Sequence, residues 1–235
     1  MRKLFLILIT IIVPLSVFGQ HTFGFKASAG LSKIISTSDV KLTVHKNYFA
    51  LSGAEGLFYN RRLRKKHLFG AELLFMQIRG KVHTENYASG QVGNLSGTYY
   101  IKDNWSFVSY VGVPIYYGFR YKKLNVNLGF QALLTMKSRG RIEGINGQNS
   151  VSVPYETKIN KLDVSNYNYG PRAGIMFSFT RLISVEAVYY HGINNILVTD
   201  STLNEAWTVR QITIGIRCKL YELEIDPKKI NAVLE

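Results

Sequence analysis

Apolar and polar residues alternate at period two through segment after segment of this chain, and no long stretch carries a helical period. Over 124–137, Leu124, Val126, Leu128, Phe130, Ala132, Leu134 and Met136 fall on one side of an extended strand. Asn125, Asn127, Gly129, Gln131 and Thr135 fall on the other. The stretch 206–220 repeats this, with Ile212, Ile214, Ile216, Cys218 and Leu220 set against Gln211, Thr213, Gly215, Arg217 and Lys219. Read in this way, the chain predicts eight strands, at 22–35, 47–60, 67–82, 105–121, 124–137, 167–180, 184–197 and 206–220.

The connections between them alternate strictly in length. Residues 61–66, 122–123 and 181–183 are short, whereas 36–46, 83–104, 138–166 and 198–205 are longer. An even-stranded barrel in the outer membrane has this asymmetry, with tight turns on the periplasmic side and longer loops outside. A soluble sandwich or lipocalin-type barrel would also alternate, but with its apolar side chains facing a common core. Strand length separates the two readings, because each segment is long enough to cross a bilayer with tilt. Aromatic residues near segment ends, Tyr48, Trp105, Tyr121, Tyr169 and Trp207, point the same way. The expected fold is therefore all-β, an eight-stranded antiparallel up-and-down transmembrane β-barrel.

The first residues add a route to that membrane. Arg2 and Lys3 precede an apolar run from Leu4 to Phe18, and Gly19 follows, so residues 1–19 read as a signal peptide. No Cys stands just after the run, which argues against a lipoprotein anchor. Residues 20–220 then form the barrel domain, and 221–235 a C-terminal periplasmic tail. The formal charge of +14 falls to about +12 once Arg2 and Lys3 are removed. A basic surface in this setting suits outer-membrane lipids and lipopolysaccharide, and no nucleic-acid partner is expected. The single Cys218 excludes an intramolecular disulfide, so stability must come from closure and burial.

Charge also stands in the middle of strands, at Lys26, Glu55, Glu72, Arg120, Arg172, Glu186 and Arg217. An eight-stranded barrel is just wide enough for its own side chains to fill it. These seven are therefore expected to form a mutually neutralising network in the lumen. Pro114 lacks a ladder donor and is expected at a bulge or a poorly paired position.

Several of these strands resemble the PorT-like outer-membrane β-barrel family of Bacteroidota. Gly24 to Ser32 is similar to the family's opening strand, with Ser28 in place of a second glycine. Glu72-Leu73-Leu74-Phe75 resembles its Glu-Leu-x-aromatic strand, and Tyr110-Val111-Gly112-Val113-Pro114 its Tyr-Leu-x-Ile-Pro strand. Val185 to Ile196 resembles the seventh strand and Gln211 to Leu220 the last, although Cys218 and Leu220 depart from the usual aromatic residues. The resemblance implies an outer-membrane barrel and, for the founding member of the family, a part in gliding and type IX secretion.

Chemistry is sparse. The histidines at 21, 45, 67, 83 and 191 lack metal-ligand spacing, and neither a metal nor a cofactor is expected. His191 with Asp200 and Ser201 is the one set from which a lipid-A-modifying hydrolase could be built. The run Arg61-Arg62-Leu63-Arg64-Lys65-Lys66 reads as a solvated turn near inner-leaflet phosphates, or as a docking point for an acidic periplasmic partner. The leading expectation is a non-catalytic structural or interaction component of the cell envelope. A narrow transporter or ligand-binding barrel and the hydrolase are the alternatives.

Overall fold

A computed structural model describes residues 19–38, 43–64, 66–88, 98–148, 151–197 and 205–225. Ten strands occur in it: β1 (Gly19–Ser38), β2 (Thr43–Tyr48), β3 (Ala50–Arg64), β4 (His67–Ala88), β5 (Thr98–Tyr121), β6 (Leu124–Gln148), β7 (Val151–Ile159), β8 (Tyr167–Ser178), β9 (Ile183–His191) and β10 (Glu205–Ile225). Every pairing is antiparallel. The sheet closes on itself in the order β1, β3, β4, β5, β6, β8, β9, β10, with β10 returning to β1. This is the predicted ring of eight, and closure leaves it no open edge. Of the expected signal peptide 1–19, residues 1–18 lie outside the described residues and Gly19 opens β1; residues 226–235 of the expected tail also lie outside them. Residues 221–225 belong to β10.

The two remaining strands belong to outward extensions of the ring. β2 continues the line of β3 past Phe49 and pairs with the outer part of β4. β7 pairs with the outer half of β6, while the inner half of β6 pairs with β8. Much of the expected long loops 83–104 and 138–166 is therefore ladder: β4 with β5 as far as Ala88 and Thr98, and β6 with β7 as far as Gln148 and Val151. A tilted strand crosses a bilayer in about 9–11 residues. β5 and β6 have 24 and 25, so about half of each stands beyond the membrane on the long-loop side.

Alternation sets the two walls. Leu57, Leu73, Val113, Leu128, Ile175 and Ile214 are exposed on the outside, whereas Asn60, Glu72, Asn127, Gln131, Arg172 and Arg217 are buried inside. A wall that presents apolar side chains all round, with its backbone groups paired in a closed ring, is the arrangement a bilayer demands of a strand protein. The chain is an outer-membrane β-barrel. Pro114 faces inward, opposite Gln131 on β6. On its other side the β4 ladder is interrupted between Ala71↔Ile115 and Leu74↔Gly112. The missing N–H thus falls where the β4 ladder is interrupted, beside Glu72.

One expected strand is shorter than its pattern. The segment 184–197 leaves the sheet after His191, because the Asn194 side chain takes over its ladder. Asn194 Oδ1 accepts the Tyr169 N–H at 2.9 Å and Nδ2 donates to the Tyr167 carbonyl at 3.0 Å. Freed from the ladder, residues 192–197 turn across the outer mouth of the ring.

Candidate functional site

The lumen is filled in two storeys. In the one nearer the short turns, Lys26 (β1), Glu72 (β4), Arg172 (β8), Glu186 (β9) and Arg217 (β10) meet in the centre of the ring, each at most 4% exposed. Glu72 is the hub. It takes Lys26 Nζ at 3.1 Å, Arg172 Nη1 at 3.2 Å and a short contact from Arg217 Nη2. Glu186 contacts Lys26 Nζ closely and lies 3.4 Å from Arg217 Nε. Arg217 also donates to the Tyr116 hydroxyl at 2.8 Å, which in turn donates to Asn60 Oδ1 at 2.6 Å.

Aromatic faces carry the cations from below and beside. The Arg172 guanidinium lies 4.6 Å from the centre of the Tyr116 ring, and that of Arg217 4.3 Å from the Phe58 ring. Tyr116 lies flat over Gly70, where a β-carbon would fall 2.2 Å from the ring. The cluster thus holds three cations and two carboxylates. Nε and Nη2 of Arg172 have no acceptor among the described residues. Charges buried this deeply persist only when paired, so each member depends on the others.

Two of the seven expected members stand elsewhere. Glu55 is exposed on the outer wall, because it shares a side of β3 with Leu51 and Leu57 and pairs with Ala27 and Phe75. Its place in the lumen was an expectation from charge alone, and the parity of β3 overrides it. It sits with Gln77 in a notch of about 240 Å³ floored by the small residues Ala27, Ser28 and Gly53. Arg120 does face inward, but at the short-turn mouth, half-buried and away from the cluster.

The outer storey is apolar. Ile34, Ile78, Val108, Tyr110, Leu133 and Val209 fill it, all at most 2% exposed. Leu162 and Val164 close over them from the chain between β7 and β8, and Ile196 from the chain after β9. Hydrogen bonds fasten this lid to the ring: Ser138 Oγ donates to the Leu162 carbonyl at 2.8 Å, and Thr135 Oγ1 to the Ser165 carbonyl at 2.7 Å. The Ser165 N–H donates to the Ile196 carbonyl at 2.7 Å, and the Ile196 N–H to the Trp207 carbonyl at 2.9 Å. The alternation pattern does not announce this plug. Its signal is local, in Ile34, Ile78, Val82 and Val209, which are apolar on the side that should be polar.

Alternation also divides the basic run at the β3–β4 turn. Arg61 lies on the outward side of the ladder opposite His21, while Arg62 faces the mouth of the lumen. Lys66 is exposed at the turn; the Arg64 side chain and Lys65 lie outside the described residues. Of the hydrolase set, His191 alone falls within the described residues. Asp200 and Ser201 lie outside the described residues, and His191 is on the outer wall with its Nδ1 3.0 Å from the Tyr189 hydroxyl. From the level of the aromatic residues Tyr48 and Trp105 outward, the arms carry a polar chain of Lys81, His83, Glu85 and Asp103. Lys81 lies 2.8 Å and His83 2.7 Å from Asp103. Burial opposes the Asp103 charge, but the bonds with Lys81 and His83 outweigh it and hold its pKa below the usual carboxylate value.

No family model matches the chain, and no curated protein matches it. Among solved structures it is similar to Neisserial surface protein A, at 14% identity over 86% of this chain and 99% of that one, with a TM-score of 0.38. It is similar to Ail, the attachment invasion locus protein of Yersinia pestis, at 12% identity over 86% and 99%, with a TM-score of 0.36. The outer membrane protein OprG from Pseudomonas aeruginosa gives 11% identity over 88% and 97%, with a TM-score of 0.29. At these identities nothing of their roles passes to this chain.

Proposed function

We propose that this outer-membrane barrel is a non-catalytic structural or interaction component of the cell envelope. The observation that carries the reading is the filled lumen. A charged cluster and an apolar plug stand one above the other, and neither leaves room for a solute to pass. With the lumen filled, the surfaces carry the proposed role: an apolar belt in lipid and strand arms standing outside it. Arg61 and Lys66 at the short turns favour inner-leaflet phosphates or an acidic periplasmic partner. The arms favour lipopolysaccharide. The finer reading, a PorT-like member with a part in type IX secretion or gliding, rests on the motifs around Glu72 and Pro114.

Two measurements test this. In planar bilayers the refolded chain is expected to show no stepwise conductance, and steady single-channel openings would restore the transporter reading. Deletion of the gene is expected to leave lipid A unchanged while altering the secreted or surface-bound proteome. A changed lipid A with an intact secretome would favour the hydrolase instead.

A further inference from the structure

Inside the short-turn end of the ring lies a cavity of about 720 Å³. Five cations line it: Arg62 of β3, Arg120 of β5, Lys123 of the β5–β6 turn, Arg181 of the β8–β9 turn and Lys219 of β10. One carboxylate, Glu222, shares the wall, and it accepts a hydrogen bond from the uncharged Gln20 Nε2. Among the described residues, none of the five cations is within ion-pair distance of a carboxylate. Solvated turn charges would be expected to spread apart. Here they come from four separate parts of the chain and converge on one space, so each raises the potential felt by the others.

The cavity continues inward as a narrow cleft of about 40 Å³, which passes between Asn60, Met176 and Asn125. Asn125 is 2% exposed, and neither its amide nitrogen nor its oxygen has a partner among the described residues. A buried amide without a partner is rare and calls for a ligand or a water. Beyond it lies the charged cluster, with its three cations to two carboxylates. Mouth and cluster thus both carry more cations than carboxylates, and the apolar plug ends the path.

We propose that this blind mouth is a binding site for a small polyvalent oxyanion of the phosphate type. The forks of Arg62 and Arg120 suit the paired oxygens of a phosphate, with Lys219 as a third, point charge. Asn125 supplies the donor at the floor, while Lys123 and Arg181 stand at the rim. The cavity is open at the turns, but its floor at Asn125 lies inside the ring whereas lipid headgroups lie outside it, so the occupant proposed is a dissolved molecule and not the surrounding leaflet. The volume leaves room for an organic body behind the charged group. The site is independent of the envelope role proposed above, because it needs neither conductance nor a protein partner.

Calorimetry on the full chain in detergent micelles, at constant ionic strength and with inorganic pyrophosphate as probe, tests the proposal. Pyrophosphate is expected to bind at least about tenfold more tightly than chloride. The pair Arg62→Gln with Arg120→Gln is expected to weaken it by about tenfold or more, and Asn125→Ala by roughly threefold. Lys123→Gln with Arg181→Gln, both exposed in turns, gives a second test that leaves the ladders intact. Heat-modifiable gel migration verifies folding of each variant. Arg139→Gln with Lys158→Gln at the opposite end should leave binding unchanged. Equal binding of pyrophosphate and chloride, equal loss from the opposite-end pair, or tighter binding of an oligoglutamate peptide than of pyrophosphate would each overturn the assignment.

Discussion

On the short-turn side of Leu74 and Met76, the lumen is held by Lys26, Glu72, Arg172, Glu186 and Arg217. On the other side it is held by Ile34, Ile78, Val108, Leu133 and Val209. The same ring encloses both storeys, so shape alone does not decide what fills a small barrel. The charged storey is specific but brittle, because each ion is out of water and depends on its partners. The apolar storey gains from every methyl group it buries and loses by degrees when one is removed.

The sharpest way to break that contrast is at the hub. Glu72→Gln leaves three cations around a neutral amide, and a loss of about 4 kcal/mol is expected in urea-dependent refolding into micelles. A loss below that of an ordinary core truncation would mean that water reaches the cluster. In the outer storey Ile78→Ala is expected to cost about 3 kcal/mol by leaving a cavity, with Trp207 fluorescence reporting a looser plug. Gly70→Ala pushes the Tyr116 ring off its seat and should cost about 2 kcal/mol, felt in the charged storey and not in the plug. The smallest effect is reserved for a paired change. Lys26→Met with Glu186→Leu removes one charge of each sign together and should shift stability by less than about 1 kcal/mol. If that pair costs as much as Glu72→Gln, the cluster acts as one unit and cannot be divided into pairs.

The ring was legible in the sequence because period-two alternation and the alternating connection lengths are both local signals. Asn125 through Gln131 face the lumen and Leu124 through Phe130 the lipid, as their spacing requires. For Glu55 the charge points to the lumen, but Leu57 and Leu51, two and four positions away on the same parity, point it outward. The outward arms were hidden for another reason. Beyond the membrane both faces of a hairpin meet water, so nothing in Lys137 to Gln148 needs to alternate. The plug was the least visible part, since Leu162, Val164 and Ile196 reach it from non-strand segments whose course depends on side-chain bonds such as those of Asn194.

Glu55 gives the molecule a bearing. Around the rest of the belt one stave is much like the next, and hydrocarbon has no preference for which of them it touches. A barrel of that kind turns about its own axis through equivalent positions. A carboxylate and an amide set in a notch on one side end that equivalence. That side is better matched by a water defect, a thinner patch of bilayer or a neighbour's polar group than by lipid tails. The belt therefore has a front as well as a top and a bottom, and Glu55→Leu would leave only the Gln77 amide to mark it.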